Sequence, residues 1–163
     1  MNEQELAYHR AFTVAVSEVM GTMTGFEMEE DEAFFTPDEE SFDPKETQPC
    51  EISGAMVLLG KKNCMATVTM TRTTASMLVS YMTGIPYYEL KNGDLFDGVA
   101  EMMNLMAGRA KALLSDSEYH FDISPPFTIV GENHYIVHKK QAKLIQKRFV
   151  SNELSFILKV FNV

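Results

Sequence analysis

Cysteine is scarce in this chain: Cys50 and Cys64 are the only two in 163 residues. They do not form a CxxC pair, no histidine stands beside them at ligand spacing, and two thiols cannot staple a secreted scaffold. Both are therefore expected to be buried and chemically quiet. No apolar run approaches the ~18 residues that a membrane-spanning helix needs. The N-terminus has no basic stretch leading into an apolar one, so no secretion signal is expected and the cytoplasm is the expected compartment. A GxGxxG turn, a P-loop and any other glycine-rich phosphate cradle are also missing, which removes the nucleotide-binding classes that depend on one.

Clusters of positive charge are missing as well. The net charge is −9, and 11 of the 23 acids lie between Glu27 and Glu51 with a single base, Lys45. The other 12 acids face 13 bases, so the rest of the chain is nearly neutral. With no Arg/Lys stripe interleaved with aromatics, nucleic acid and anionic lipid are excluded as expected partners, and a protein partner is favoured. At 45% hydrophobic residues the length suits one domain, residues 1–163, with a real core, and is short for two.

What is present reads as an α+β chain. Leu6, Ala7, Phe12, Val16, Val19, Met20 and Met23 recur near helical spacing and predict an amphipathic helix over Glu5–Thr24, closed by glycines. The acidic stretch 27–51 holds Pro37, Pro44 and Pro49 with isolated Phe34, Phe35 and Phe42, and reads as a loop able to contribute a short edge strand. Ile52–Leu59 and Cys64–Met70, joined by Gly60-Lys61-Lys62-Asn63, predict a β-hairpin. Thr73–Thr83 predicts a shorter helix stopped by Gly84 and Pro86. After the turn Asn92-Gly93-Asp94, Leu95–Leu114 predicts the longest helix. Phe127–Val130, His134–Val137, Leu144–Val150 and Leu154–Val163 then read as strands. This order implies helices packed on a mainly antiparallel sheet.

The longest helix has two faces. Leu95, Val99, Met102, Met103, Met106, Ala110, Leu113 and Leu114 form an apolar stripe expected to be core, where methionine commonly fills gaps. Asp97, Glu101, Asn104, Gly108 and Lys111 alternate at spacings of four and three on the opposite face. A glycine inside a helix costs about 1 kcal/mol relative to alanine, so Gly108, one turn after Asn104, suggests that another backbone or ligand comes close there. On spacing alone, such a Glu/Asn pair is most often only solvated surface.

Other candidates read more plainly. His134 and His138, four apart in an expected strand, lie about 13 Å apart and cannot share a metal ion. Ser115, Asp116, Ser117, His120 and Asp122 supply the letters of a catalytic triad without a nucleophile elbow, and turn chemistry explains them better. No convergent pocket of titratable groups for a small substrate is evident.

The segment Asp97–Lys111, with Glu101-x-x-Asn104 followed four residues later by Gly108, resembles the helix signature of CheX-type phosphatases in the CheX/CheC/FliY family. The tract Ile123-Ser124-Pro125-Pro126-Phe127-Thr128-Ile129-Val130-Gly131 is similar to the stretch that follows that helix in the family. CheC proteins carry two E-x-x-N helices and this chain carries one, which favours the CheX branch. The resemblance implies a CheC-like fold and a phosphatase acting on the aspartyl phosphate of a CheY-like receiver in chemotaxis. Asn104 would orient water and Glu101 would dock on the receiver's lysine, with Asp97, Gly108 and Lys111 as binding residues. It further implies that this chain holds no metal, that Mg²⁺ belongs to the partner receiver, and that the protein is a homodimer joined through sheet edges near the C-terminus. A module that binds a receiver or a flagellar-switch component without hydrolysis is the alternative.

Overall fold

The computed structural model describes residues 1–34, 37–47, 49–152 and 154–163. Helix α1 spans Glu3–Thr24 and starts at a reciprocal cap: Asn2 Oδ1 accepts from Glu5 N at 2.9 Å, and the Glu5 carboxylate accepts from Asn2 N at 3.0 Å. Gly25 ends it in the left-handed region at φ 77°, which glycine enters without a Cβ penalty. Helix α2, Arg72–Thr83, is capped by the Thr71 side chain and closed the same way by Gly84 at φ 75°. Helix α3, Asn92–Leu113, begins earlier than its pattern suggests. The residues read as a preceding turn form its first coil, because the Asp94 carboxylate accepts from Lys91 N at 3.0 Å.

The strands are β1 (Glu29–Glu30), β2 (Cys50–Leu59), β3 (Cys64–Met70), β4 (Asp122–Ile123), β5 (Phe127–His134), β6 (Lys143–Ser151) and β7 (Leu154–Asn162). Among the described residues they form one seven-stranded sheet in the order β1-β6-β7-β3-β2-β4, with β5 also paired to β2. All the pairings are antiparallel. The expected hairpin is β2–β3, in register from Ile52 opposite Met70 to Leu58 opposite Cys64.

Two expectations change. Phe127–Val130 and His134–Val137 are not separate strands: β5 runs through Gly131 to His134, then the chain leaves the sheet. Leu113, placed on the core stripe, is 41% exposed, and Leu114 takes the last buried position as the helix ends.

Alternation along the strands gives the sheet two faces. Ile52, Met56, Leu58, Ala66, Val68, Met70, Phe156, Leu158 and Val160 join the apolar sides of all three helices in one core, which includes Met102, Met103 and Met106. Two glycines set how closely α3 sits. A Cβ on Gly54 would lie 2.6 Å from the Val99 carbonyl oxygen, and one on Gly98 would lie 2.6 Å from both Val79 methyls.

The acidic segment is ordered by bases of the later chain. β1 pairs with β6 as an edge strand. Lys147 Nζ reaches Glu30 at 2.5 Å and Thr13 Oγ1 at 3.0 Å, and Arg148 reaches Asp31 at 2.8 Å. Farther on, Lys140 pairs with Glu40 at 3.0 Å, and Tyr135 donates to the Pro44 carbonyl at 3.2 Å. Of the phenylalanines in this segment, Phe34 lies under the Arg148 guanidinium and Phe42 packs edge-on against Tyr135, while Phe35 falls outside the described residues.

Candidate active site

Helix α3 presents its polar stripe to solvent because its other side is consumed by the core. Asp97 and Glu101 are exposed, and Asn104, Gly108 and Lys111 are half-buried. At 1.5 Å per residue the stripe extends about 21 Å from Asp97 to Lys111, too long for all five residues to meet at one small group. Only the middle of it converges. Asn104 Nδ2 donates to Glu101 Oε2 at 3.3 Å. This leaves the Asn104 carbonyl oxygen, its second amide proton and three lone-pair directions on the Glu101 carboxylate facing outward.

Gly108 stands one turn beyond Asn104, and a Cβ built there meets nothing within 4 Å. Gly54 and Gly98 are needed for packing inside the molecule, whereas Gly108 is not. Its effect is to leave a smooth, open patch of helix backbone beside the Glu/Asn pair. Half-buried Ala100 and Leu105 flank the pair, so the surface around it has an apolar margin.

Lys111 and Asp97 do not join the pair. The Lys111 ammonium is held by Asp122 of β4 at 2.8 Å, and this hydrogen bond keeps the Asp122 carboxyl below its ordinary range. Asp97 lies one turn before Glu101, away from Asn104.

The tract after α3 fastens the helix to the sheet. Ser124 Oγ accepts from Val57 N at 2.9 Å while Ser124 N donates to Val57 O, also at 2.9 Å. Pro125 and Pro126 then interrupt the ladder along β2 between β4 and β5. Thr128 Oγ1 donates to the Phe96 carbonyl at 2.8 Å, tying β5 to the first half of α3. Pattern reading did not identify the link between Arg109 and Glu18, which clamps α3 to α1 on the flank of the stripe. A basic residue on one helix and an acidic one on another carry no spacing signal.

The remaining sequence candidates have structural roles. His134 bonds Ser53 Oγ at 2.7 Å and the Gly131 carbonyl at 2.8 Å, whereas His138 bonds Gln146 at 2.7 Å and the Lys139 carbonyl. Ser115 and Ser117 hydroxyls donate to carbonyls three residues back, and His120 turns onto Ser117 O. Burial raises both Cys50 and Cys64 to about 11, so neither is a ready nucleophile. Among the described residues no three His, Cys, Asp or Glu side chains converge as a metal site, and no helix is long and apolar enough to cross a membrane.

What the exposed pair can do is limited and specific. An amide does not titrate near neutral pH, so Asn104 can orient a water but not take its proton. A carboxylate one turn away can accept a charge-assisted bond from a cation on a partner.

Comparison with known proteins gives a consistent answer. The family model described as chemotaxis phosphatase CheX matches residues 52–149, which run from within β2 through most of β6 and include the whole of α3. The CheX structure from Desulfovibrio desulfuricans superposes with a TM-score of 0.78 at 24% identity, covering 96% of this chain and 99% of that one. A CheC-like superfamily protein from Shewanella sp. PV-4 gives a TM-score of 0.81 at 24% identity, covering 100% and 99%. CheX in a CheX–CheY–BeF3–Mg²⁺ complex from Borrelia burgdorferi gives 0.71 at 21% identity, covering 95% and 96%. No curated protein sequence matches significantly.

Proposed function

Because the chain belongs to the CheX family of chemotaxis phosphatases, we propose that it hydrolyses the aspartyl phosphate of a CheY-like receiver domain, with Asn104 orienting the attacking water and Glu101 docking the receiver's active-site lysine. The observation that carries this reading is the Glu101–Asn104 pair, hydrogen-bonded to each other and facing outward beside the open backbone at Gly108.

The reaction suits so small a site. In phosphoryl transfer through a loose, in-line transition state, most of the catalysis is positioning and charge neutralisation. A receiver supplies the phosphoaspartate, a Mg²⁺ ion and a lysine, so what remains to be supplied is an ordered water. The Asn104 amide accepts a hydrogen bond from the water and directs its lone pair at phosphorus, as glutamine does in small GTPases. The water's oxygen bonds to phosphorus as the bond to the aspartyl oxygen breaks, releasing inorganic phosphate and a free carboxylate. Glu101, joined to the receiver lysine, fixes the register of α3 over the phosphoryl group. The flat surface at Gly108 lets the receiver backbone approach, and Asp97 and Lys111 lie at the ends of the contact. That a CheX from Borrelia burgdorferi forms a complex with CheY, BeF3 and Mg²⁺ favours this class of partner.

The runner-up is a module that binds a receiver or flagellar-switch component without turnover, a reading favoured by fold likeness to the FliM middle domain of Helicobacter pylori, TM-score 0.64 at 8% identity. The test is the decay of a phosphorylated CheY-like receiver in Mg²⁺, alone, with this protein, and with its Asn104→Ala variant. Acceleration lost in the variant supports the phosphatase. Binding without acceleration by the unaltered protein supports the module.

A further inference from the structure

The sheet face turned away from the helices is polar yet buried. Ser53, Thr67, Thr69 and Lys159 are all at most 6% exposed. Ser53 stands opposite Thr69 across β2 and β3, and Thr67 stands opposite Lys159 across β3 and β7, so the four form one patch. The chain after β5 and the acidic segment close over it. Lys159 Nζ donates to the Ile136 carbonyl, Tyr135 donates to Pro44 O at 3.2 Å, and Glu39 N donates to His138 O at 3.1 Å. Between cover and sheet lies a cavity of about 30 Å³, whose lining includes Lys159, Thr69 and Cys50 with the apolar side chains of Phe42, Ile136 and Ile157.

Two independent features show that the patch is not balanced within the chain. The Lys159 ammonium has a carbonyl partner but no carboxylate partner among the described residues, and a buried cation is costly unless it is paired. The Thr67 hydroxyl beside it is buried without a hydrogen-bond partner among the described residues. Thr67 lies outside the cavity's lining, so what the cavity would take is set by Lys159 with Thr69, which ask for a group that accepts hydrogen bonds and carries negative charge.

The size of the cavity restricts the candidates. At roughly 10–15 Å³ per water it holds about two waters, which excludes nucleotides and sugars. Its apolar wall suits carbon on one side, and its polar wall suits oxygen on the other. We propose that this cavity is a binding site for a small monocarboxylate, the size of formate or acetate, with its oxygens on the Lys159 ammonium and the Thr69 hydroxyl and its carbon against Phe42 and Ile136. Burial pushes the Lys159 ammonium down to about 8. A carboxylate at contact distance reverses that shift, which gives a second readout. The site lies across the sheet from α3, so it stands or falls independently of the phosphatase reading.

The test titrates the ¹⁵N-labelled full chain with sodium formate at constant ionic strength, following amide shifts and the Lys159 pKa. Formamide keeps the shape without the charge, chloride keeps the charge without the shape, and Lys159→Met removes the cation from an otherwise similar side chain. The expected result is saturable shifts at Cys50, Thr67, Thr69 and Ile136 with formate, and an upward move of the Lys159 pKa. Apparent affinity should be at least roughly tenfold weaker for formamide and chloride, with no saturation in the variant. No saturable shift with formate overturns the proposal, as does equal binding of formamide or chloride by the unaltered protein, neither of which depends on the variant folding. Equal saturation in Lys159→Met overturns it as well.

Discussion

Asn104 Nδ2 lies 3.3 Å from Glu101 Oε2, and among the described residues neither side chain makes another side-chain hydrogen bond. The two are thus held toward each other and toward solvent but not into the fold. Replacing them should change the chemistry and leave the domain intact.

Steady-state dephosphorylation of a phosphorylated receiver should separate their roles. Asn104→Ala is expected to lower kcat on the order of 10²-fold with a small change in KM, as befits lost water positioning. Glu101→Gln is expected to raise KM about tenfold, the size of one lost charge-assisted bond, with a smaller effect on kcat. If the two variants exchanged these signatures, the assignment of roles would be wrong.

Gly108 offers a stability gain set against function. With open space around its missing Cβ, Gly108→Ala should stabilise the protein by up to about 1 kcal/mol in urea unfolding, through helix propensity alone. Gly108→Leu should fold equally well and lose most of its receiver binding, because its side chain occupies the approach path. Retained binding by the leucine variant would mean that the partner docks elsewhere.

The two packing glycines should rank in a definite order. Gly98→Ala meets the methyls of Val79, which can shift, whereas Gly54→Ala meets the Val99 carbonyl oxygen, part of the α3 backbone. Overpacking costs of about 1–3 kcal/mol are expected for both, with Gly54→Ala the larger. Thermal unfolding of both variants, with Gly98→Ala rescued by Val79→Ala, checks the ranking.

Lys159 makes stability depend on pH. Its folded pKa, about 8 against an ordinary 10.5, means that the unfolded chain binds more protons between those values, so stability rises with pH across that window. The full difference is on the order of 3 kcal/mol. Cys50 and Cys64, pushed up to about 11, work in the opposite sense above pH 9, where the unfolded thiols ionise first. Denaturant unfolding should therefore show stability rising between pH 8 and 9 in the unaltered protein. Lys159→Met should be more stable at pH 7 and lack the rise, and parallel pH profiles for the two proteins would refute the argument.

The helices and the E-x-x-N stripe were legible in the sequence because 3.6-residue periodicity and cap chemistry are local. Gly25 and Gly84 mark ends that the structure keeps, whereas the caps at Asn2 and Thr71 start both helices slightly before the ranges read from the pattern. The extent of β5 was not legible. Gly131 reads as a breaker, yet it sits inside the strand, because the pairing with β2 shifts register between Cys50 and Ile52 and carries the ladder on to His134. The far face of the sheet was hidden for another reason. Ser53, Thr69 and Lys159 alternate with core residues and read as solvent-facing, and only the segment folded over them makes them buried. Ion pairs such as Arg109–Glu18 and Arg148–Asp31 join residues distant in sequence and have no local signature.

None of Asp97, Glu101, Asn104, Gly108 or Lys111 belongs to the apolar core that α3 completes. Selection for a stable fold and selection for a partner therefore act on separate alphabets written along one helix. If the outer stripe docks the partner as proposed, a lineage can exchange one partner for another by drifting along it, each step close to neutral for folding, while the buried methionines stay as they are.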